Sequence, residues 1–330
     1  MKNMKKLMIV GLDLSHPYAF TPLFRQEGIE VAYILDSDGK RVQDFAEKFG
    51  AKPVGSIEEV PWTEVDGVFV ATITCDHVRF ARPFVERGIP TFVDKTISPV
   101  FNEAKALIDL AKANNVPFLS GSARRFSPAF ASLAKECKTE GFGKPLIASR
   151  FEPHGISPGH WQERRETSGG FIKNFGVHCV DNLVQVFGSD VKQVNCLSGK
   201  FLNQNAESED SAVITIQFEG GGVGIAEVLG AQSPCKATQP HFRVHGGKQS
   251  YEAYVDEGFV REFRGKPVYD PASYDFVSGY QQIVKCFSAM VKERTQPIPY
   301  EHFLATELVL EMARRSADEG RPIFVTEVLS

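Results

Sequence analysis

The chain has 330 residues, of which 42% are hydrophobic and 24% are charged, ordinary values for a globular protein long enough for two domains. A formal net charge of −4 argues against partners such as nucleic acid or an anionic membrane surface. No stretch approaches the roughly 20 apolar residues of a membrane span. The first apolar run, Leu7–Leu12, stops at Asp13 and predicts a strand, not a signal peptide. Six scattered cysteines without a C-x-x-C pair predict reduced thiols and a cytoplasmic location.

Strand-like and helix-like segments alternate through the first 122 residues. Apolar runs such as Val31–Leu35 and Asp66–Thr72 predict buried strands, whereas Lys40–Phe49 and His77–Arg87 carry apolar residues at helical spacing. Short connections between such segments indicate an α/β fold with a doubly wound parallel sheet. We therefore predict a doubly wound α/β domain over residues 1–122.

The first turn, Gly11–His16, stands where a dinucleotide-binding fold carries G-x-G-x-x-G. Only the first glycine is present, because Asp13 and His16 replace the other two. A carboxylate at Asp13 is unfavourable beside a pyrophosphate unless its side chain turns away. The turn still predicts a helix N-terminus that can bind an anion, with Ser15 as N-cap and Pro17 at the first helical position. The alternative is a structural turn in a fold that has lost its nucleotide.

Charged residues follow two other predicted strands of this domain. Asp36, 25 positions beyond Gly11, can hydrogen-bond the ribose hydroxyls of NAD and would repel the 2′-phosphate of NADP. Alternatively, it is a turn residue before Ser37-Asp38-Gly39. Asp94-Lys95 follows the apolar run Thr91–Val93, and ligands collect at the carboxyl ends of such strands. Lys95 can therefore meet a substrate oxygen, although any one lysine is more often a solvated loop residue.

The pattern changes in the second half, residues 123–330, for which we predict an α+β substrate and oligomerisation domain. Consecutive strand-like runs with short links, including a hairpin at Glu219–Gly222, indicate an open, mostly antiparallel sheet. Two helices are predicted at the end, near residues 275–294 and 301–319. Within Gly169–Gly188, read as a helix, Asn174, His178 and Asp181 share one face. The alternative for His178 is a satisfied core histidine.

The ordered segments resemble the Gfo/Idh/MocA oxidoreductase family over essentially the whole chain. The matching features are the Rossmann first half, Val70-Ala-Thr72 followed by His77, Asp94-Lys95-Thr96 at the family's Glu-Lys-Pro, Gly121–Pro128 at its Gly-x-x-Arg-Arg-Phe-x-Pro, and Gly169-Gly-x₇-His-x-x-Asp181. The resemblance implies NAD(P)-dependent hydride transfer between nicotinamide and a sugar, cyclitol or related polyol. It also implies a homodimer or homotetramer built through the open sheet face, and no metal.

Residue roles follow from the same resemblance. Lys95 would bind and polarise the reacting oxygen, His178 would be the acid/base, and Asn174 would orient it, chemistry that suits these residue types. The implied cofactor-binding residues are Gly11, Leu12, Asp13, Ser15, His16, Asp36, Ala71, Thr72, His77, Asp94 and Lys95. The implied substrate-binding residues are Lys95, Arg124, Trp161, Asn174 and His178. Trp161, Arg164 and Arg165, ahead of the Gly169-Gly170 pair, are candidate residues of a substrate loop, and the favoured alternative for all three is a surface contact.

Three departures from the family pattern leave rival hypotheses open. Thr96 replaces the proline after Lys95, Asn174 stands where many members have Asp, and the glycine loop is degenerate. One rival is a family member that binds a sugar but no longer turns over NAD. A second is a metal-assisted lyase or hydrolase on an oxidised sugar, for which His154, His160, His178 and Asp181 are suitable ligand types.

Overall fold

A computed structural model describes residues 4–155, 159–230, 241–254, 260–262 and 277–329. Its contacts divide the chain into two compact units, Met1–Gly121 with Tyr280–Tyr300, and Ser122–Gly279 with Glu301–Ser330. The division expected from sequence, 1–122 and 123–330, assigns residues 280–300 to the second domain, whereas the structure packs them with the first unit.

The elements of the described chain are as follows. The strands are β1 (Lys5–Val10), β2 (Ile29–Leu35), β3 (Lys52–Pro53), β4 (Gly67–Val70), β5 (Thr91–Val93), β6 (Phe118–Leu119), β7 (Pro145–His154), β8 (Val191–Gly199), β9 (Ser211–Phe218), β10 (Val223–Gly230), β11 (His241–Gly246), β12 (Ser250–Tyr254), β13 (Val260–Glu262) and β14 (Ile323–Phe324). The α-helices are α1 (His16–Gln26), α2 (Gly39–Phe49), α3 (His77–Glu86), α4 (Phe101–Ala113), α5 (Pro128–Glu136), α6 (Arg165–Ser168), α7 (Gly170–Phe187), α8 (Val277–Glu293), α9 (Tyr300–Glu319) and α10 (Thr326–Leu329). Short 3₁₀ turns occupy Ile57–Glu59, Thr74–Asp76, Ala123–Phe126 and Trp161–Glu163.

The sheet of the first unit has, among the described residues, the strand order β3-β2-β1-β4-β5-β6. Every neighbouring pair is parallel. This is the doubly wound order of a dinucleotide-binding fold. The predicted Rossmann sheet is therefore confirmed.

Aromatic side chains explain why residues from α8 join the first unit. Phe69 of β4 stacks on Phe92 of β5 with 4.5 Å between ring centroids. Phe287 of α8 lies 5.4 Å from Phe92 and 5.8 Å from Phe24 of α1. All four rings are almost wholly buried, and burying such large apolar rings is strongly favourable. A boundary drawn along the sequence does not reveal this return of the chain.

The sheet of the second unit has, in the described ranges, the order β13-β12-β11-β7-β10-β9-β8-β14. All pairs are antiparallel except β7 with β10, so the mostly antiparallel sheet is confirmed, as is the hairpin at Glu219–Gly222. Strands that follow one another in the chain are neighbours within β8–β10 and within β11–β13. The strand β7 comes first in the chain among the strands of this sheet, but it lies between these two groups. The start of the helix predicted near residues 275–294 lies outside the described residues.

Helix α7 lies against one face of this sheet and is buried on nearly every side. A methyl group added at Gly176 would be 3.5 Å from Ile214 of β9 and from Leu310 of α9, and 3.8 Å from Val228 of β10. At its start, Ile172 N–H donates to Glu209 Oε1 at 2.9 Å. A helix so enclosed holds its polar side chains in fixed positions.

None of the helices in the described chain is both long and apolar enough to span a bilayer. Five of the six cysteines, Cys75, Cys137, Cys179, Cys196 and Cys286, are free thiols, and Cys235 lies outside the described residues. Burial raises the pKa of Cys137, Cys179 and Cys196 to about 12, so these thiols are protonated and unreactive at neutral pH. The cytoplasmic location stays a prediction.

Candidate active site

The carboxyl ends of four parallel strands bring the predicted cofactor residues of the first unit to one edge. Gly11 follows β1, Asp36 follows β2, Thr72 follows β4 and Lys95 follows β5. Backbone hydrogen bonds continue past the strands, from Gly11 N to Leu35 O at 2.8 Å and from Asp94 N to Val70 O at 2.9 Å. These residues therefore lie where open α/β sheets bind their ligands.

Gly11 is required by a close approach of two backbone segments. Its φ is +93°, and a Cβ there would lie 2.4 Å from Thr72 N, so no other residue fits without a shift. Helix α1 begins at His16, which puts Pro17 at its second position, not the first as predicted. Ser15 is at the N-cap but makes no side-chain cap hydrogen bond, since its αR backbone conformation differs from the extended one typical of a capping residue. Leu12 is buried.

Asp13, which replaces the second glycine, is held by two partners. Its Oδ1 accepts a hydrogen bond from Arg41 Nη1 of α2 at 2.8 Å, and its Oδ2 accepts one from Ile73 N at 3.2 Å. The carboxylate is thus committed to a cation and a backbone N–H. Together with the glycine at the first turn and the helix N-terminus behind it, these residues fit a dinucleotide pyrophosphate.

Asp36 is almost enclosed, with 2% of its side chain exposed. Its Oδ2 accepts from Leu12 N at 2.6 Å, and its Oδ1 accepts from Asp38 N at 2.7 Å. Arg41 Nη2 lies 2.9 Å from the same Oδ1. Asp36 therefore organises the turn before α2, as the turn-residue alternative expects, whereas ribose contact by Asp36 stays a prediction.

His16, which replaces the third glycine, reaches the strand end that carries the lysine. Its Nδ1 lies 2.6 Å from Asp94 Oδ2, and the other oxygen of Asp94 accepts from Lys95 N at 2.8 Å. Burial raises the pKa of Asp94, but His16 and Lys95 outweigh it and hold that pKa below its ordinary value. Lys95 is 6% exposed, so the solvated-lysine alternative is wrong. Its peptide bond to Thr96 is cis.

His77 is fully buried between two strand ends. Its Nδ1 lies 2.8 Å from Thr96 O and its Nε2 lies 2.9 Å from Thr72 O. Burial lowers its pKa, so the ring is neutral at pH 7 and its single N–H can donate to only one carbonyl at a time. This position ties the turns after β4 and β5 together beside the buried Ala71. Cofactor contact by His77 stays a prediction.

The second unit places Asn174, His178 and Asp181 on α7, all buried. His178 Nδ1 lies 2.6 Å from Ser122 Oγ, which orients the imidazole. Asn174 Nδ2 donates to Gln162 O at 3.4 Å. Ser122 was not among the site residues predicted from the sequence, although it lies in the Gly121–Pro128 segment. The feature that could have pointed to it is its position beside the predicted domain boundary.

Asp181 anchors a buried charge network. It accepts hydrogen bonds from Arg125 Nη1 at 2.8 Å and Ser122 N at 2.9 Å, and lies 2.7 Å from His302 Nε2. Burial raises its pKa, but Arg125 and His302 more than offset this, so the pKa of Asp181 is below its ordinary value. Its contacts are those of a structural anion that fixes the Ser122 backbone.

The remaining predicted substrate residues are placed by local partners. Arg124 donates from Nε at 3.2 Å and from Nη2 at 2.9 Å to Glu152 Oε1, so its guanidinium is engaged by a buried carboxylate. Trp161 lies partly exposed in a 3₁₀ turn. Substrate contact by both stays a prediction.

Arg164 and Arg165 are each 50% exposed and lie within 3.5 Å of Glu207 and 3.1 Å of Asp318, respectively, as surface ion pairs do.

The rings of His154 and His178, two of the candidate metal ligands, are stacked with centroids 5.8 Å apart. Among the residues that the structure describes, no three His, Cys, Asp or Glu side chains converge as metal ligands would.

Comparison with known proteins places both halves of the chain. Residues 5–122 match the oxidoreductase family described as having an NAD-binding Rossmann fold, and residues 144–252 match the GFO/IDH/MocA C-terminal domain. The chain is 26% identical to scyllo-inositol 2-dehydrogenase (NAD(+)) of Bacillus subtilis over 69% of its own length and 68% of that enzyme's. Across three curated relatives the aligned region covers 54% to 68% of the relative's length.

Solved structures share the fold. A putative NADPH-dependent oxidoreductase from Desulfitobacterium hafniense has a TM-score of 0.87 at 19% identity, with full coverage of both chains. Levoglucosan dehydrogenase in complex with NADH and levoglucosan has a TM-score of 0.86 at 18% identity, covering 97% of this chain and 99% of that one. With both family models matched in order, this chain belongs to the Gfo/Idh/MocA family of oxidoreductases, whose first domain is an NAD-binding Rossmann fold.

Proposed function

We propose that this protein transfers hydride between nicotinamide, preferentially of NAD, and a hydroxyl-bearing carbon of a sugar, cyclitol or related polyol. The observation that carries the proposal is the buried Lys95 at the carboxyl end of β5, the edge where a Rossmann sheet binds its ligands. The names of the relatives, an inositol dehydrogenase and a levoglucosan dehydrogenase, support a polyhydroxylated substrate.

Lys95 would donate a hydrogen bond to the reacting oxygen. In the oxidation direction this oxygen carries negative charge as its proton leaves, and in the reduction direction it gains negative charge as the carbon accepts hydride; a fixed ammonium stabilises that charge. The hydrogen bond from Lys95 N to Asp94 Oδ1 orients the backbone from which the side chain extends. The nicotinamide supplies the hydride acceptor or donor.

His178 would take the hydroxyl proton during oxidation and return it during reduction. Histidine suits this role because its unperturbed pKa lies near neutral pH. Ser122 Oγ, 2.6 Å from Nδ1, fixes the ring plane. Asn174, one turn earlier on α7, cannot accept a proton and would orient the ring or a substrate hydroxyl.

The preference for NAD rests on Asp36. Its carboxylate, at the end of β2, accepts hydrogen bonds from the turn at Leu12 and would disfavour a 2′-phosphate by charge repulsion. The rival of a sugar-binding protein without NAD rested on the degenerate glycine loop. Because Asp13 is bonded to Arg41 and Ile73, that loop no longer argues against pyrophosphate binding.

Calorimetric titration of the purified protein with NADH, and separately with NADPH, tests the cofactor. We expect micromolar binding of NADH and weaker binding of NADPH, followed by reduction of NAD when polyols are screened. If the protein is folded, as verified by circular dichroism, and gives no heat with either cofactor, the dehydrogenase proposal is wrong. That result would favour a sugar-binding descendant of the fold.

We further propose that copies of the chain pair through the sheet face opposite α7. Val213 of β9 and Leu197 of β8 are in register and are 45% and 72% exposed, whereas the adjacent Ile214 is buried toward α7. Light scattering should give a mass of two or four chains, and Val213→Glu should reduce it, because a carboxylate is costly to bury. A wild-type mass of one chain contradicts this pairing.

A further inference from the structure

Asp13 raises a specific electrostatic problem in this fold. The second glycine of a dinucleotide loop normally lets backbone approach the pyrophosphate, and here an anionic side chain stands in its place. An uncompensated carboxylate would repel the phosphates and weaken the helix N-terminus as an anion site. Either this chain binds dinucleotides poorly, or another residue neutralises Asp13.

Arg41 of α2 meets this requirement through contacts with Asp13, Leu12 and Asp36, and its Nε also lies 3.6 Å from Asp38 Oδ2. Its Nη1 donates to Asp13 Oδ1 at 2.8 Å and to Leu12 O at 3.2 Å. Its Nη2 lies 2.9 Å from Asp36 Oδ1. One guanidinium therefore joins the pyrophosphate loop to the carboxylate at the end of β2, and Ile73 N–H holds the second oxygen of Asp13.

The partial exposure of this pair separates a stabilising role from a positioning role. Arg41 and Asp13 side chains are 33% and 22% exposed. Solvent screening weakens partly exposed ion pairs. The Asp13 carboxylate lies in the loop where the fold binds two phosphates, so the charge that Arg41 offsets there bears on cofactor binding, whereas its contact with the almost enclosed Asp36 bears on folding.

We propose that Arg41 is a cofactor-positioning residue: by pairing with Asp13 it compensates for the missing second glycine and keeps the loop able to bind the pyrophosphate of NAD. This inference rests on the proposed function. It makes Asp13 and Arg41 a coupled pair, so that the loss of Arg41 harms cofactor binding only while Asp13 carries its charge.

A double-mutant cycle measured by calorimetric titration with NADH tests the coupling. Arg41→Gln should weaken NADH binding about tenfold, equivalent to about 1.4 kcal/mol. Asp13→Asn keeps an acceptor for Ile73 N–H, and it should tighten NADH binding by about threefold because Arg41 then lies beside the phosphates without that counter-charge. The double variant should bind within about threefold of Asp13→Asn, so that the second substitution rescues the first.

Three controls separate positioning from general damage. Lys40→Gln removes one positive charge from the exposed neighbour of Arg41 and should alter NADH binding by less than about twofold. Arg41→Lys, which keeps the charge, should recover part of the affinity. The defect of Arg41→Gln should shrink at high salt, since screening weakens phosphate repulsion. Arg41→Gln also leaves the almost enclosed Asp36 carboxylate without its guanidinium, so its melting temperature should fall, and binding is compared at a temperature at which every variant is folded.

The outcomes distinguish this inference from the proposed function beneath it. No NADH binding by the wild type overturns both. Wild-type binding with losses that multiply independently in the double variant, or with Lys40→Gln as harmful as Arg41→Gln, overturns the role of Arg41 alone. Rescue by Asp13→Asn supports it, because a merely structural arginine would not be rescued by removing its partner.

Discussion

Replacement of Lys95 by alanine is expected to lower kcat by about a thousandfold, within the range that a positioned polar or acid/base group contributes. The reason is that the reacting oxygen would develop charge without the ammonium at the end of β5 as a donor. NADH binding, measured by titration, should change much less than kcat, because the proposed site of the cofactor's phosphates is the Gly11 turn. Steady-state kinetics on the polyol found by screening measures the effect.

The matched control is Lys105→Ala on α4, which removes a partly exposed lysine paired with Asp109 at 2.6 Å. It should leave kcat within about twofold of wild type, since such helix-surface pairs contribute only a few tenths of a kcal/mol. A Lys95→Ala enzyme with near wild-type kcat would remove Lys95 from the reaction.

The same kinetic test applies to the acid/base partner. His178→Gln keeps a polar group beside Ser122 but cannot exchange a proton near neutral pH, so kcat should fall about 10²- to 10⁴-fold. The pH dependence of the remaining activity should lose the limb that reports this histidine. Retention of the full wild-type pH profile would assign the acid/base role to another residue.

Substitution of Asp181 by asparagine is expected to lower the free energy of unfolding by about 3–5 kcal/mol, as when one partner of a buried ion pair is removed. Asp181 is wholly buried, and Arg125 Nη1 lies 2.8 Å from its Oδ1. The variant would leave the buried guanidinium without its counter-charge. Urea denaturation at pH 7 measures the loss.

The pH dependence of this effect has a definite sign. The pKa of Asp181 in the folded protein lies below its ordinary value, so its stabilising contribution is full above the unfolded pKa of about 3.9. The contribution is lost as pH falls from that value through the lower folded pKa. The difference in stability between wild type and Asp181→Asn should therefore shrink below about pH 4.

Asp109→Asn provides the control for the same chemical change at an exposed ion pair with Lys105, and should alter stability by less than about 0.5 kcal/mol. If Asp181→Asn were no more destabilising than Asp109→Asn, the network around Arg125 would not be a structural anchor.

Local pattern in the sequence is sufficient for most of the fold. Apolar runs with short links predict β1, β2, β4 and β5, because a strand buried on both faces must be continuously apolar. The carboxyl ends of strands in a parallel sheet share an edge, so the same pattern predicts that Gly11, Asp36 and Lys95 lie together. The helical spacing of Asn174, His178 and Asp181 likewise follows from residue periodicity.

The partners of these residues could not be predicted in the same way. Asp13 is a defect in a motif when the sequence is considered alone, and only the fold brings Arg41, 28 positions later, to hold it. Ser122 lies 56 positions from His178, and Asp181 lies 121 positions from His302. No periodicity relates such pairs, since their separation along the chain depends on the lengths of every intervening element.

The chain by itself thus determined the sequence of elements, the doubly wound sheet and the identity of the polar residues at its edge, because these depend on short-range hydrophobic periodicity and turn chemistry. Only the tertiary structure decided that Lys95 is buried, that Asp13 is paired with Arg41, that Phe287 returns to the first unit and that β7 occupies the middle of the second sheet. Burial and charge compensation depend on contacts between segments distant in sequence, and those contacts exist only once the chain has packed.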